Sequence, residues 1–256
     1  MFLTGCNLAS NWISRFRIQT AVKRGDSQTA VRLLQRAIEE DPDGPSALDY
    51  ARTGARLAHV DARNYLAATE FYRMIVLRSE SESERLSAQK NIATLALENL
   101  QDFNQAVIEL ERLLRLDMTE EDRFRFRLNL AKAHFQLNNL EQATHELDDI
   151  LTKPMDPDWK FDAMILKANV LVSGKKLADA AKIWEEVLKE FPERSKREKT
   201  GLDLVVCYEE LKNFDKAIEV LEHMKADYPN PDFLEIRIQR LQDRRSNMPG
   251  AQGWKR

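Results

Sequence analysis

The residues that could form a catalytic or ligand-binding site are the histidines, the adjacent carboxylates, the cysteines and the glycines of a possible phosphate loop. Their spacing argues against such a use in each case. Neither the histidines nor the two cysteines, Cys6 and Cys207, show the spacing of metal ligands. Adjacent acids such as Glu185 and Glu186 are typical of a solvated helix face rather than of an acid/base couple. The eight glycines form no phosphate-binding loop. We therefore expect no enzyme, no catalytic residue, no metal site and no cofactor.

The composition favours helix and argues against nucleic acid as a partner. Only 8 Gly and 8 Pro occur in 256 residues, and charged residues make up 32% of the chain. The 39 basic and 42 acidic residues give a net charge of −3, which offers no bulk attraction to a polyanion. No apolar run approaches the roughly 18 residues that a membrane-spanning helix needs.

A repeat of 37 or 38 residues runs through the chain. Each copy has a turn, a small anchor residue and an apolar stripe, as in RGDSQTAVRLLQRAIEEDP. The anchors are Ala30, Ala68, Ala106, Ala143, Ala180 and Ala217, with successive spacings of 38, 38, 37, 37 and 37. Such regularity predicts tandem structural units rather than an ordinary helical domain.

Each copy has the pattern of a helical hairpin. Large apolar residues stand four and seven positions after most anchors, as Leu110 and Leu113 do after Ala106, so all three share one helical face. A second amphipathic segment, for example DAMILKANVLV, precedes each of these helices. Because one hairpin cannot bury its apolar face alone, we expect neighbouring hairpins to stack.

These features resemble the tetratricopeptide repeat over residues 11–230. Pro42, Pro192 and Pro229 lie 12 residues after their anchors, where that family often places a proline. The spacing exceeds the family period of about 34 residues, so longer helices or loops are expected. The resemblance implies an all-α, right-handed superhelical solenoid of about six hairpins that binds other proteins.

The residues after the last copy predict a cap and a tail. Residues 231–245, PDFLEIRIQRLQDRR, form the capping helix that an open solenoid end requires, with Phe233, Ile236 and Leu241 towards the array and Arg237 outward. Residues 246–256 contain Pro and two Gly without periodicity and are expected to be a flexible tail.

The resemblance also implies a binding groove lined by the first helix of each hairpin. Carrying over the inward positions of the family, counted from each anchor, places Tyr50, Leu57, Asn91, Leu95, Arg125, Leu128, Lys132, Phe135, Ile165, Asn169, Lys199 and Leu202 in that groove. Apolar groups mixed with Asn and cations suit a peptide or helix with hydrophobic anchors and some negative charge. Asn169 and Lys199 match two positions of the subclass that clamps chaperone carboxylates, but Leu128 and Lys132 do not.

The first residues resemble a bacterial lipoprotein processing site. Leu3, Thr4, Gly5 and Cys6 fit the motif whose cysteine is lipidated, although the charged and apolar leader that should precede it is missing. We expect the true start to lie upstream and Cys6 to carry an acyl anchor. In the alternative interpretation, residues 1–10 form an N-terminal cap and Cys6 is a small buried residue.

Two functions remain open from the sequence. The first is a non-enzymatic scaffold, lipid-anchored on the periplasmic side of the bacterial envelope, that helps to assemble machinery there. The second is a soluble cytoplasmic adaptor or co-chaperone that uses the same groove. In both cases the partners are other proteins, and the membrane is reached only through Cys6.

Overall fold

A computed structural model describes residues 14–247 of the chain, and within them every regular element is helical. Residues 1–13, which include Cys6, and residues 248–256 lie outside the described residues, so the lipoprotein site, the N-terminal cap and the flexible tail stay predictions. After α1 (14–23) the helices are α2 Ser27–Glu40, α3 Ala47–Arg56, α4 Tyr65–Arg78, α5 Glu82–Thr94, α6 Phe103–Leu114, α7 Glu120–Gln136, α8 Leu140–Leu151, α9 Pro157–Ser173, α10 Leu177–Glu190, α11 Pro192–Glu198, α12 Gly201–Glu210, α13 Phe214–Met224 and α14 Pro231–Ser246. The predicted all-α repeat fold is confirmed.

The helices between residues 14 and 224 form six hairpins. In each pair the two helices are joined by a short turn with one left-handed residue, and the pairs are α1/α2, α3/α4, α5/α6, α7/α8, α9/α10 and α12/α13. The short helix α11 lies between the fifth and sixth hairpins. The chain divides into two compact units, Met1–Asn129 and Leu130–Arg256, and the division falls within α7.

Each unit has its own apolar core built from the anchor residues. All six anchor alanines are fully buried. In the first unit they pack with groups such as Leu34 and Phe71, and in the second with groups such as Trp184 and Leu221. An alanine at this position lets the two helices of a hairpin approach closely, since only a methyl group separates them.

The turn inside each hairpin has one geometry throughout. The residue five positions before each anchor has a left-handed backbone: Gly25, Arg63, Gln101, Asn138, Lys175 and Lys212. The next residue is Asp or Asn in five hairpins, and in four of these its side chain accepts a hydrogen bond from the first turn of the second helix. The left-handed residue ends the first helix and the Asx residue caps the second.

Two hairpins contain an extra residue, and a π turn accommodates it. The hairpins anchored by Ala68 and Ala106 are those with the 38-residue spacing. In both, the first helix ends in a π turn, at Leu57–Asp61 and Leu95–Asn99. The bond that closes the turn runs from Asn64 N–H to the Ala58 carbonyl, six residues back, whereas Asn139 N–H bonds to His134 only five back. A π turn is the form that a one-residue insertion takes within an α-helix.

The last helix, α14, forms as predicted but with a different buried face. Leu234, Ile238 and Leu241 are buried, whereas Phe233 and Ile236 are exposed. The prediction was therefore wrong for Phe233 and Ile236 and right for Leu241. Helical spacings of four and three residues put the buried three on one stripe.

Arg237 of α14 is also not simply directed outward. Its Nε and Nη2 atoms donate to Glu209 Oε1 of α12 at 2.9 and 2.6 Å. The sequence gives no indication of this ion pair, because Glu209 lies 28 residues away.

Candidate functional site

The exposed face of the first helices is the site that the family resemblance predicts. Across the hairpins without a π turn, the residue eleven positions before the anchor is exposed: Gln19, Lys132, Asn169 and Val206. Leu57 and Leu95 have the same offset in the π-turn hairpins but are buried. Their side chains belong to the core and are not open to a partner.

The extra residue explains why these two differ. It lies between the first helix and the left-handed turn, so every position upstream of it is offset by one when counted from the anchor. The buried pair Leu130 and Ala131 corresponds to Ile92 and Ala93 only after this shift. That position then falls on Arg56, which is exposed, and on Thr94, which is half-buried, rather than on Leu57 and Leu95. The difference between 38 and 37 residues was the sequence feature that could have revealed this.

The other predicted residues differ in exposure. Leu128 is buried, Arg125 is exposed, and Tyr50, Asn91, Phe135, Ile165 and Leu202 are half-buried. Lys199 does not lie on the first helix of its hairpin. It caps the C-terminus of α11 with φ 58°, and its Nζ lies 5.4 Å from the centre of the Tyr228 ring.

In the first unit, ion pairs join the first helices of successive hairpins. Arg52 of α3 donates two hydrogen bonds to Glu84 of α5, from Nε at 2.7 Å and from Nη2 at 2.8 Å. Lys90 of α5 donates one hydrogen bond, from Nζ to Asp122 Oδ2 of α7. The hydrogen bonds from Arg52 and, to a smaller extent, from Ser79 lower the pKa of Glu84 to about 2. The pKa of Asp122 is lowered as well, chiefly by its hydrogen bond from Lys90. The charges of Arg52 and Lys90 are therefore already neutralised by carboxylates of the protein itself.

In the second unit the corresponding face combines apolar groups with a lysine that has no carboxylate partner among the described residues. Ile165, Val172 and Leu202 are half-buried at the edge of one apolar cluster, and Val206 is exposed beside them in the repeat register. Lys132 is exposed and makes no ion pair among residues 14–247. Apolar edges with an uncompensated ammonium group can bind a segment that combines hydrophobic and acidic side chains.

Residues 14–247 offer neither a cluster of metal ligands nor a membrane-spanning helix. Among residues 14–247 no group of three or more His, Cys, Asp or Glu side chains could hold a metal ion. None of the helices described is both long enough and apolar enough to cross a membrane.

Solved structures with a similar fold include two tetratricopeptide repeat proteins. A tetratricopeptide repeat protein from Parabacteroides merdae aligns with a TM-score of 0.52 and 15% identity over 93% of this chain and 89% of its own. YrrB, described as a TPR protein with an unusual peptide-binding site, aligns at 0.54 with 17% identity over 81% and 97%. The structure of Naa15/Naa10 bound to HypK-THB aligns at 0.66 with 16% identity over 90% of this chain, which spans 34% of that one. At these identities the similarity concerns the fold.

Sequence comparison gives the family. A search of curated proteins found no match. Two family profiles, both described as Tetratricopeptide repeat, match residues 93–158 and 171–242, together more than half of the chain. The anchor alanines at 106, 143, 180 and 217 fall within these matches, and the structure forms hairpins around each. The chain is a tetratricopeptide repeat protein.

Proposed function

We propose that the second unit binds a segment of a partner protein along the exposed face of α7, α9 and α12. The observation that supports this most is the unpaired Lys132, which stands in register with the exposed Val206, while Ile165 and Leu202 lie one helical turn earlier in their hairpins. A segment with apolar side chains and at least one carboxylate would remove this apolar surface from water and neutralise the ammonium group. Peptide binding is also part of the description of YrrB, which has the same fold.

A photo-crosslinking amino acid at position 169 tests this proposal. Asn169 is exposed on the proposed face, so a bound segment should be captured in the native cells and identified by mass spectrometry. The double variant Lys132→Glu/Val206→Asp should lower the captured amount at least fivefold, because it reverses the charge and adds a carboxylate to the apolar strip. Lys189→Glu is the matched control, since Lys189 is exposed on α10, a second helix.

Full capture by the folded double variant would show that the face is not the binding site. Capture that is lost equally in Lys189→Glu would show a dependence on net charge alone.

For the cellular setting we propose the bacterial envelope, with an acyl anchor on Cys6. The support is the four-residue resemblance to a lipoprotein processing site, Leu3 to Cys6. Expression from the natural upstream region should give a membrane-bound protein with an acylated N-terminus, and Cys6→Ser should release it. A soluble, unmodified wild-type chain would instead favour the cytoplasmic adaptor.

A further inference from the structure

The first unit has a groove on the side formed by its second helices. It is an open groove with a volume of about 730 Å³ between α4 and α6, with α5 at its base. Its wall includes Leu77 and Ile108, whose residues are 77% and 49% exposed. Large apolar side chains this exposed, on both sides of one groove, are typical of a binding surface.

A buried carboxylate organises the polar part of this groove. Glu109 of α6 is 1% exposed. Its Oε1 accepts hydrogen bonds from Gln105 at 2.7 Å and Arg73 at 3.3 Å. Its Oε2 accepts from Gln89 at 2.7 Å and Arg112 at 2.9 Å. Two guanidinium groups thus surround one carboxylate, and the cluster has a net charge of +1.

The two arginines keep donors for a ligand. Their side chains are 54% and 59% exposed, and each donates one hydrogen bond to Glu109 from one nitrogen. A guanidinium has five N–H donors, so most of those on Arg73 and Arg112 face the groove or water. Glu109 therefore holds two cations at the groove edge, where their forks can bind a second carboxylate.

Packing alone does not account for a carboxylate at this position. The residue three positions after the anchor is apolar in four of the other five hairpins, Leu33, Phe71, Ile183 and Val220, and in the fifth it is Glu146, which is only half-buried. Gln89, which is also buried, stands where the preceding π-turn hairpin has Ala51. Buried charged and polar groups are unfavourable compared with a well-packed apolar core. A local departure of this kind is expected where a site needs it.

We propose that this groove binds a short extended segment of a partner protein in which an acidic side chain is flanked by apolar residues. The carboxylate pairs with Arg73 and Arg112, and the flanking side chains pack on Leu77 and Ile108. A protein segment is favoured over a simple anion because the exposed apolar walls adjoin the cationic edge. This site is independent of the face on α7, α9 and α12.

The test is an NMR titration of the full chain, labelled at Leu and Ile methyl groups and at arginine Nε. The probe is acetyl-Leu-Glu-Leu-amide, and its isostere acetyl-Leu-Gln-Leu-amide is the control. We expect the signals of Leu77, Ile108, Arg73 and Arg112 to shift, with at least fivefold tighter binding of the glutamate peptide. Equal binding of the two peptides, or shifts confined to other residues, would overturn the proposal. Sodium acetate that reproduces the arginine shifts at the peptide concentration would reduce the site to a simple anion site and overturn it as well.

Two variants separate the binding groups without depending on an intact ion cluster. Leu77→Ser/Ile108→Ser changes only exposed side chains and should weaken both peptides at least threefold. Arg73→Gln/Glu109→Leu/Arg112→Gln replaces the cluster by the apolar type found in other hairpins, so it should fold and lose the preference for glutamate. Retention of that preference in the folded triple variant would exclude the arginines as the binding groups. Lys132→Glu/Val206→Asp should leave the titration unchanged, so a failure here is distinguishable from a failure of the second-unit face.

Discussion

The left-handed residue in each turn is occupied by five different residue types across the six hairpins. Only Gly25 has no Cβ, and the other five positions place an ordinary side chain at φ between 50° and 60°. The left-handed region disfavours residues with a Cβ by about 1 to 2 kcal/mol, although glycine loses more backbone entropy on folding.

We therefore expect Lys212→Gly to stabilise the protein by about 0.5 to 1 kcal/mol and Gly25→Ala to destabilise it by about 1 kcal/mol. Lys212 is exposed, so its side chain contributes little packing. Urea denaturation measures both changes. Lys212→Ala controls for the lost side chain and should not stabilise; a gain in that variant equal to the gain from glycine would refute the backbone explanation.

The Arg52 and Glu84 pair should make stability depend on pH. The pKa of Glu84 is lowered to about 2 from an ordinary value of 4.5. The folded state therefore holds this carboxylate ionised more strongly than the unfolded chain does. The resulting stabilisation is complete above about pH 4.5 and disappears as the pH falls towards 2.

At pH 7 we expect Glu84→Gln to lose on the order of 1 kcal/mol, the upper range for a partly exposed pair with two parallel hydrogen bonds. The difference from wild type should shrink between pH 4.5 and pH 2.5 in urea titrations. Asp49→Asn is the control, since Asp49 is the more exposed partner of Arg52 and should change stability by less than about 0.5 kcal/mol. A difference that is constant with pH would mean that packing, not charge, is responsible.

At the scale of the helix, the π turns show how a repeat can lengthen without losing its packing. The bulged segment of the second hairpin includes Val60, which is 64% exposed. The core residues on either side keep the burial pattern of the shorter hairpins once the offset of one is applied.

Deletion of Val60 should therefore convert the π turn to an ordinary helix end and cost less than about 1 kcal/mol. Deletion of Ser173, which ends α9 in a hairpin without a spare residue, should rotate the preceding helix by about 100°. That rotation would move buried groups to the surface and cost several kcal/mol. Circular dichroism and thermal unfolding measure both. Equal losses in the two deletions would contradict the insertion model of the π turn.

The buried face of α14 leads to a prediction for neighbouring residues. Leu234→Ala removes a fully buried side chain and should destabilise the protein by about 3 kcal/mol. Ile236→Ala, two positions away, alters an exposed group and should cost less than about 0.5 kcal/mol. The midpoint of urea unfolding measures both losses of stability. A larger loss for Ile236→Ala than for Leu234→Ala would support the buried face predicted from the sequence instead.

At the scale of the whole molecule, the sequence predicted what depends on local periodicity. The anchor spacing, the six hairpins and the terminal helix all follow from repeated apolar patterns. The sequence analysis placed Leu57 and Leu95 incorrectly because it applied one offset to hairpins of two lengths. The ion cluster of Glu109 was also missed, since it joins residues up to 36 positions apart, and no local pattern marks such a contact.

Truncation after Asn230 tests the role of α14 in the second unit. Leu234, Ile238 and Leu241 share an apolar cluster with Leu204 and other residues of α12 and α13. Without α14 this cluster is open to water, so we expect a lower unfolding temperature and increased binding of an apolar fluorescent dye. An unchanged unfolding temperature would show that the sixth hairpin needs no cover.

The π turns also set a rule for engineering this chain. Grafting a recognition surface from one hairpin to another requires matching residues by position. A plain count back from the left-handed turn matches equivalent residues only among the hairpins without a π turn. In the hairpins anchored by Ala68 and Ala106, the count must skip one residue at Leu57–Asp61 or Leu95–Asn99. A graft made at fixed spacing would place its contact residues in the protein interior and its apolar residues in water.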